Sequence, residues 1–197
     1  DELFGGQKPA FRGVKVLDRA DVLGMLGMDA GPVFLVESKV RNGAYNHNLT
    51  VAHWKKIPDW LDNPAMVFDS DTVPGRLVML APEQLDGNPI VMVLEPANHG
   101  AGINLLVNAY DKSSGKIPLN RWVDEGLLRY YDKKRSPAIL ARSGLQLPRL
   151  AQARSLNGKI YRDTDLVKYR LGDANTNGFA LSNRKAGYKE NNGQIDL

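Results

Sequence analysis

The sequence predicts an α+β domain in which N-terminal helices precede a four-stranded antiparallel sheet and a basic helical C-terminal extension follows it. Three observations support this fold class. Before residue 62 the apolar residues recur every three or four positions, which is the spacing of one helix face. From residue 65 the apolar spacing becomes two, and short turn sequences separate the apolar runs. After residue 117 the balance of charge becomes positive.

Two helices are expected in the N-terminal part. Residues 18–28 carry Val22, Leu23 and Leu26 at helical spacing, and Gly31-Pro32 ends that segment. Residues 50–61 form the clearer helix, because Thr50 is a suitable N-cap and the apolar residues follow one face. Between the two helices, residues 33–36 form a short apolar run typical of a strand.

Four successive strands are expected over residues 65–68, 76–81, 89–94 and 102–110. Their connections are Pro74-Gly75, Asp86-Gly87-Asn88 and a glycine-flanked loop at His99, all of which are turn sequences. Short loops between neighbouring strands indicate an antiparallel meander.

The remaining chain predicts a helix over residues 118–128, a further strand at 129–131 and short helices at 137–142 and 163–170. Beyond residue 171 the Gly, Asn and Lys content rises, which is typical of a segment that does not fold by itself. The predicted organisation is a linker or arm at 1–16, an α+β domain at 17–148 and a partly flexible C-terminal extension at 149–197.

Composition excludes several classes of chemistry. The chain has no Cys, so disulfides, zinc ribbons and thiol nucleophiles are ruled out. Its three His residues lie on different predicted elements without carboxylates at ligand spacing, and no nucleotide fingerprint is present, so neither a metal nor a cofactor is expected. No apolar run approaches the roughly 18 residues that a membrane helix needs. The first residue is Asp rather than Met, and we expect the chain to be part of a larger polypeptide.

Positive charge is concentrated in the C-terminal third. Residues 1–117 carry 11 Lys and Arg against 14 Asp and Glu, whereas residues 118–197 carry 15 against 8. The densest cluster is predicted to bind an RNA backbone, with aromatic side chains available for stacking, although a solvated hairpin would have the same composition. This cluster comprises Arg129, Tyr130, Lys133, Lys134 and Arg135.

Several short motifs occur in an order that is similar to a known family. They run from about residue 32 to residue 148 and include the following: His47-Asn48-Leu49-Thr50, Ile57-Pro58-Asp59-Trp60-Leu61-Asp62-Asn63-Pro64, Met66-Val67-Phe68-Asp69-Ser70, Val107-Asn108-Ala109-Tyr110-Asp111-Lys112 and Ser143-Gly144-Leu145-Gln146-Leu147-Pro148. Through them the chain resembles the C-terminal domains of phage MuF-type proteins and of large polyvalent phage proteins. Those domains are grouped with the barnase, EndoU, colicin and RelE-like nucleases.

The resemblance implies a nuclease fold in which helices are followed by four strands. It also implies a setting, which is either a phage virion or the bacterial cytoplasm that a toxin enters. It also implies His47 as general acid or base at the start of the second helix. At position 108 the resemblance leads us to expect Ser, and this chain has Asn. An amide can orient a phosphate oxygen but cannot act as an acid or nucleophile.

The strand that ends near residue 111 supplies the other catalytic candidates. Asn108 and Tyr110 share a face through the two-residue period of a strand, and Lys112 follows them. They would orient the phosphate and stabilise its charge, or they would be a half-buried strand Tyr and a solvated Lys. Ser70, Lys39 and Arg41 are further candidates for substrate binding, with a turn-capping Ser and exposed charges as the alternatives.

These residues favour a metal-independent endoribonuclease that cleaves RNA by attack of the 2′-hydroxyl on the adjacent phosphate. The alternative is a non-enzymatic phage virion or ejected domain that binds nucleic acid or protein. ADP-ribosylation ranks last, because no cofactor signature is present. The expected partners are RNA and, for a toxin, an acidic inhibitor protein that complements the basic third of the chain.

Overall fold

A computed structural model describes residues 13–36, 49–97, 102–112, 117–143 and 146–176. The strands in these ranges are β1 (Gly13–Leu17), β2 (Val33–Val36), β3 (Met66–Asp69), β4 (Leu77–Leu85), β5 (Asn88–Glu95), β6 (Asn104–Asp111), β7 (Leu128–Tyr131) and β8 (Tyr161–Arg162). The helices are α1 (Asp21–Met25), α2 (Val51–Asp62), α3 (Leu119–Asp124), α4 (Pro137–Ser143), α5 (Leu147–Gln152) and α6 (Asp163–Thr176). None of the helices in these ranges is both long and apolar enough to cross a membrane.

All eight strands form one mixed sheet in the order β1-β2-β6-β5-β4-β3-β7-β8. Strands β3 to β6 pair antiparallel with their neighbours in sequence. Strand β2 pairs parallel with β6, and β8 pairs parallel with β7. The prediction of a four-stranded antiparallel sheet preceded by helices is therefore wrong, because the sheet continues on both sides of the expected strands and because β1 and β2 precede helix α2.

The outer strands extend the sheet through long-range pairing. Strand β1 lies mostly within the segment that was predicted to be a linker or arm, yet it pairs antiparallel with β2. At the junction of β2 and β6 the side chain of Asn104 is fully buried and donates to the carbonyl oxygens of Asp29 and Gly31 at 3.2 and 3.0 Å. Its own amide oxygen accepts the Ala97 N–H at 2.9 Å. These bonds fix the loop before β2 against the start of β6.

Helix α2 begins at a well-formed N-terminus. Thr50 is the N-cap, and the Thr50 N–H donates to Nδ1 of His53 at 3.1 Å, so a histidine takes the place of the usual Glu in a capping box. Ile57, Trp60 and Leu61 are buried on the face that packs against the sheet. The helix continues through Pro58. Because the helix does not end at Pro58, Trp60 lies on the same helix and is buried in the core.

Each face of the sheet has its own apolar core. One core lies between the sheet and helices α1, α2 and α6, and we name this side the closed face. The second core lies under α3, α4 and α5, and we name this side the open face, because these helices cover it only in part. On the open face, helix α3 packs Trp122 against Phe68 of β3 with ring centroids 5.3 Å apart. A cavity lies over β4, β5 and β6 beyond that helix.

Candidate functional site

The cavity on the open face depends on a β-bulge in strand β6. Val93 of β5 lies opposite Asn108, whereas Leu94, the next residue of β5, lies opposite Leu106, so Val107 is the additional residue. Without the bulge, Asn108 would share the face of Leu106, which is fully buried in the core of the closed face. The bulge changes the phase of the strand and turns Asn108 and Tyr110 into the cavity.

Two cross-strand rows form the floor of the cavity. The register pairs Asn108 with Val93, Val93 with Val78, and Val78 with Phe68. The adjacent row begins with Tyr110 opposite Val91. Three valines therefore provide an apolar floor between the polar side chains of β6 and the aromatic pair of Phe68 and Trp122.

The cavity has a volume of about 580 Å³, which lies within the usual range for ligand sites. Polar and charged side chains surround the valine floor. The residues that line it are Ser70, Asp71, Thr72, Val73, Arg76, Val78, Val91, Val93, Val107, Asn108, Tyr110, Lys112, Ile117, Pro118, Arg121 and Trp122. Three of these side chains are cations and one is a carboxylate. Two of the cations, Arg76 and Arg121, are paired with the carboxylates of Glu95 and Asp71.

The loop after β3 forms one wall of the cavity, and Ser70 shapes its turn. Oγ of Ser70 accepts the N–H groups of Thr72 and Val73 at 3.3 and 3.1 Å. Asp71 then fixes this loop to α3, because its carboxylate accepts the indole N–H of Trp122 at 3.0 Å and pairs with Arg121. The hydroxyl of Ser70 and the carboxylate of Asp71 on this wall therefore already have partners within the protein.

Strand β6 and Lys112, the residue that follows it, form the opposite wall. The backbone N–H of Lys112 donates to the carbonyl oxygen of Pro89 at 3.0 Å. The ammonium group of Lys112 has no carboxylate partner in the described part of the chain. Burial raises the pKa of the Tyr110 phenol above its ordinary value, and the negative charge of Asp71 raises it further. The phenol is therefore protonated at neutral pH.

The structure brings together four of the residues that the sequence singled out. Ser70, Asn108, Tyr110 and Lys112 all line the cavity. For Ser70 the turn-capping role that was weighed as the alternative is present in the hydrogen bonds. His47, Lys39 and Arg41 lie outside the described residues.

The predicted RNA-binding cluster is divided by the fold. Tyr130 is 1% exposed within the core of the closed face, and Arg129 is 9% exposed. Arg129 donates to Asp69 at 3.0 Å and to the carbonyl oxygen of Leu26 at 3.2 Å. A bulge in β7 produces this arrangement, since Val67 lies opposite Tyr130 and Phe68 lies opposite Leu128. Both side chains belong to the interior, so an exposed patch cannot include them.

The other three cations of that cluster remain on the surface. Lys133, Lys134 and Arg135 are exposed in the turn after β7. Oδ1 of Asp132 accepts the N–H groups of Lys134 and Arg135 at 2.7 and 2.9 Å, which holds the turn. Arg135 also donates to the carbonyl oxygen of Asn63 at 3.0 Å. The exposed remainder of the cluster is therefore a short basic turn.

Sequence reasoning did not select several residues of the cavity. Arg121 and Trp122 come from α3, Asp71 from the loop after β3, and Arg76 from just before β4. Arg76 is paired with Glu95 at 2.8 Å. Trp122 is buried in the second core, and it also forms a wall of the cavity. Arg121 is one of the cations of the basic C-terminal third, but its pairing with Asp71 could not be read from the sequence.

The fold and the site define a class: an α+β domain with a mixed sheet and a cation-lined cavity on its open face. Residues 38–138 match the phage MuF C-terminal domain, which is just over half of the sequence. The chain belongs to this phage family. The matched range contains the cavity residues from Ser70 to Trp122 and also His47. Neither a curated protein nor a solved structure gives a significant match.

Proposed function

We propose that this chain is a metal-independent endoribonuclease-like domain of a phage-derived protein or bacterial toxin, and that the cavity on the open face holds the RNA phosphate. The observation that carries the proposal is the alignment of Asn108, Tyr110 and Lys112 along one cavity wall, with Arg121 opposite. A protonated phenol and two cations are the groups that stabilise a phosphate whose negative charge increases in the transition state. The phage family supplies the setting.

The proposed reaction needs no co-reactant beyond the RNA. The 2′-oxygen of one ribose forms a bond to the neighbouring phosphorus, and the bond from phosphorus to the 5′-oxygen of the next nucleotide breaks. A base accepts the proton of the 2′-hydroxyl, and an acid protonates the departing 5′-oxygen. We assign the base to His47, since imidazole accepts protons near neutral pH. Tyr110 donates to the phosphate, and Lys112 stabilises its charge.

A second candidate function is that of a non-enzymatic phage domain that binds nucleic acid or protein. The observation that favours it is the chemistry of the described cavity walls. Asn108 stands where the resemblance predicted Ser, and the one carboxylate among the described lining residues, Asp71, is held by Arg121 and Trp122. A site of this kind binds a phosphate without a group that is free to accept a proton.

Cleavage of RNA in excess EDTA separates these candidates. The purified chain is incubated with total RNA and with a defined transfer RNA, beside the His47→Ala, Lys112→Met and Lys55→Met variants. Lys55 is exposed on α2 away from the cavity and serves as the matched control for removal of one ammonium group. We expect fragments that end in 2′,3′-cyclic phosphate from the parent and from Lys55→Met. Cleavage should be lost in His47→Ala and strongly reduced in Lys112→Met.

Other results would point elsewhere. Undiminished cleavage by His47→Ala would refute the role of that histidine, and cleavage that requires an added divalent ion would refute the metal-independent mechanism. Bound but intact RNA would favour the binding domain. For a toxin we also propose a tight inhibitor with an acidic face, whose complex should weaken as salt concentration rises. A phage virion or the cytoplasm of a target bacterium, with this chain as part of a larger polypeptide, is the setting we propose.

A further inference from the structure

The side chain of Asn108 has hydrogen-bonding capacity that the fold leaves unused. It is half-buried on the wall of the cavity, and its amide makes no hydrogen bond to any residue that the structure describes. A carboxamide offers two N–H donors and one acceptor oxygen with two lone pairs. Buried polar groups are normally hydrogen-bonded, so a half-buried amide that faces a cavity is suited to contact a ligand.

The cross-strand neighbours of Asn108 on the floor of the cavity are apolar. Val93 lies directly opposite it on β5, and Val78 lies one strand further away on β4. Two strand spacings amount to about 10 Å, and the side chains of neighbouring strands on one face lie side by side. A planar ring can therefore rest on the two valines while its edge meets the amide of Asn108. Apolar side chains hold extruded nucleobases in this way in enzymes that act on a single base.

The cations occupy a different part of the cavity from this apolar surface. Along β6 the order is Asn108, Tyr110 and Lys112, with alternate residues roughly 7 Å apart on one face. The amide therefore lies at one end of the wall and the ammonium group at the other, with the phenol between them. This order matches a ligand with a polar-edged ring at one end and a negative charge at the other.

We propose that the cavity contains a subsite for one nucleobase, adenine, which rests on Val78 and Val93 and pairs with Asn108 through its donor and acceptor edge. The inference rests on the proposed function, because the base belongs to the RNA whose phosphate lies near Lys112. The amide complements adjacent donor and acceptor groups such as N6 and N7 of adenine, whereas guanine presents two acceptors, O6 and N7, on that edge. A pyrimidine ring covers less of the valine surface than a purine does.

Binding of nucleoside monophosphates tests the subsite without RNA cleavage. Affinities for adenosine, guanosine, uridine and cytidine 5′-monophosphate and for inorganic phosphate are measured by calorimetry or by NMR titration. We expect the adenosine compound to bind about tenfold more tightly than the other three, the scale of one bidentate amide contact. Asn108→Ala should remove this preference, so that the four nucleotides bind with similar affinity. Asn108→Asp, which has nearly the same shape, should remove it as well.

A second variant distinguishes the contribution of the base subsite from that of the phosphate site. Lys112→Met should weaken all four nucleotides and inorganic phosphate together while the preference for adenine remains. Equal binding of the four nucleotides, or a preference that survives in Asn108→Ala, would overturn the base subsite and leave the proposed phosphate site standing. If neither the nucleotides nor inorganic phosphate bound at all, both proposals would be overturned.

Discussion

The two faces of the sheet are built from the same strands but are completed in different ways. On the closed face, α1, α2 and α6 bury an apolar core that includes Trp60 and Tyr130. On the open face, α3, α4 and α5 bury the side chains of β3 and β7 but leave valines of β4 and β5 as the floor of a cavity. Both faces bury an apolar core, but among the described residues the open face also retains the cavity that we propose as a binding site. Substitutions on the two faces should affect different measurements.

The largest expected effect is on the closed face. Trp60 is fully buried in α2, so Trp60→Ala should lower the free energy of unfolding by about 4 kcal/mol through lost burial and the resulting cavity. Urea denaturation followed by circular dichroism measures this change. The control is Val51→Ala on the same helix, where the side chain is 71% exposed and a change within about 0.5 kcal/mol is expected. A small loss for Trp60→Ala would contradict the assignment of this face to stability.

Arg129 should also behave as a residue of the interior. Arg129→Met removes the ion pair with Asp69 and the bond to Leu26, and it should cost about 2 kcal/mol of unfolding free energy, less than a fully buried pair because Asp69 is partly exposed. Lys133→Met in the exposed turn is the matched control and should change stability by less than about 0.5 kcal/mol. If Arg129→Met left stability intact but abolished RNA binding, the residue would instead belong to the RNA-binding surface.

The sequence revealed those parts of the fold that depend on local patterns. Each of the strands β3 to β6 carries its own alternation and is separated from the next by a turn or loop signal, so period and turn signals located all four. The parallel pairing of β2 with β6 joins segments far apart in the chain, and no local pattern encodes it. Strand β1 is an edge strand with an exposed Val14, and its weak alternation was interpreted as an arm.

The candidate site, like the fold, could be predicted from the sequence only where local patterns determine it. The shared face of Asn108 and Tyr110 follows from the two-residue period, because both residues lie after the bulge at Val107. The burial of Arg129 and Tyr130 follows from a bulge in β7 that charge patterning does not reveal. The pairing of Asp71 with Arg121 depends on how α3 docks on the sheet, which no local pattern encodes.

On the open face, Lys112→Met should change binding without changing stability. Removal of one phosphate contact should weaken RNA affinity by about 1 kcal/mol and reduce the salt dependence of binding by about one ion. Fluorescence anisotropy with a labelled single-stranded RNA at several salt concentrations measures both quantities. Lys55→Met is the control and should leave the salt dependence unchanged. If Lys112→Met lowered the unfolding free energy as much as Arg129→Met does, the two faces would not differ in their effect on stability.

The smallest expected effect is a change in the pKa of Tyr110, which lies on one wall of the cavity and is influenced by Asp71 on the other. Burial is the larger cause of its raised pKa and Asp71 the smaller, so Asp71→Asn should lower the pKa of Tyr110 but leave it above the ordinary value. The phenol is neutral when protonated, so its contribution to stability is complete below about pH 10 and is lost as the pH rises through the folded pKa. NMR titration of ¹³C-labelled tyrosine, with Tyr110→Phe to assign the signal, measures the pKa.

The matched control for this titration is Asp59→Asn on helix α2, where an exposed carboxylate is removed from the closed face. It should leave the Tyr110 titration unchanged. A Tyr110 pKa that did not move in Asp71→Asn would mean that the carboxylate is fully neutralised by Arg121 and does not act on the opposite wall. A fall in the pKa would mean instead that the negative charge of Asp71 reaches Tyr110 across the cavity and favours its protonated form.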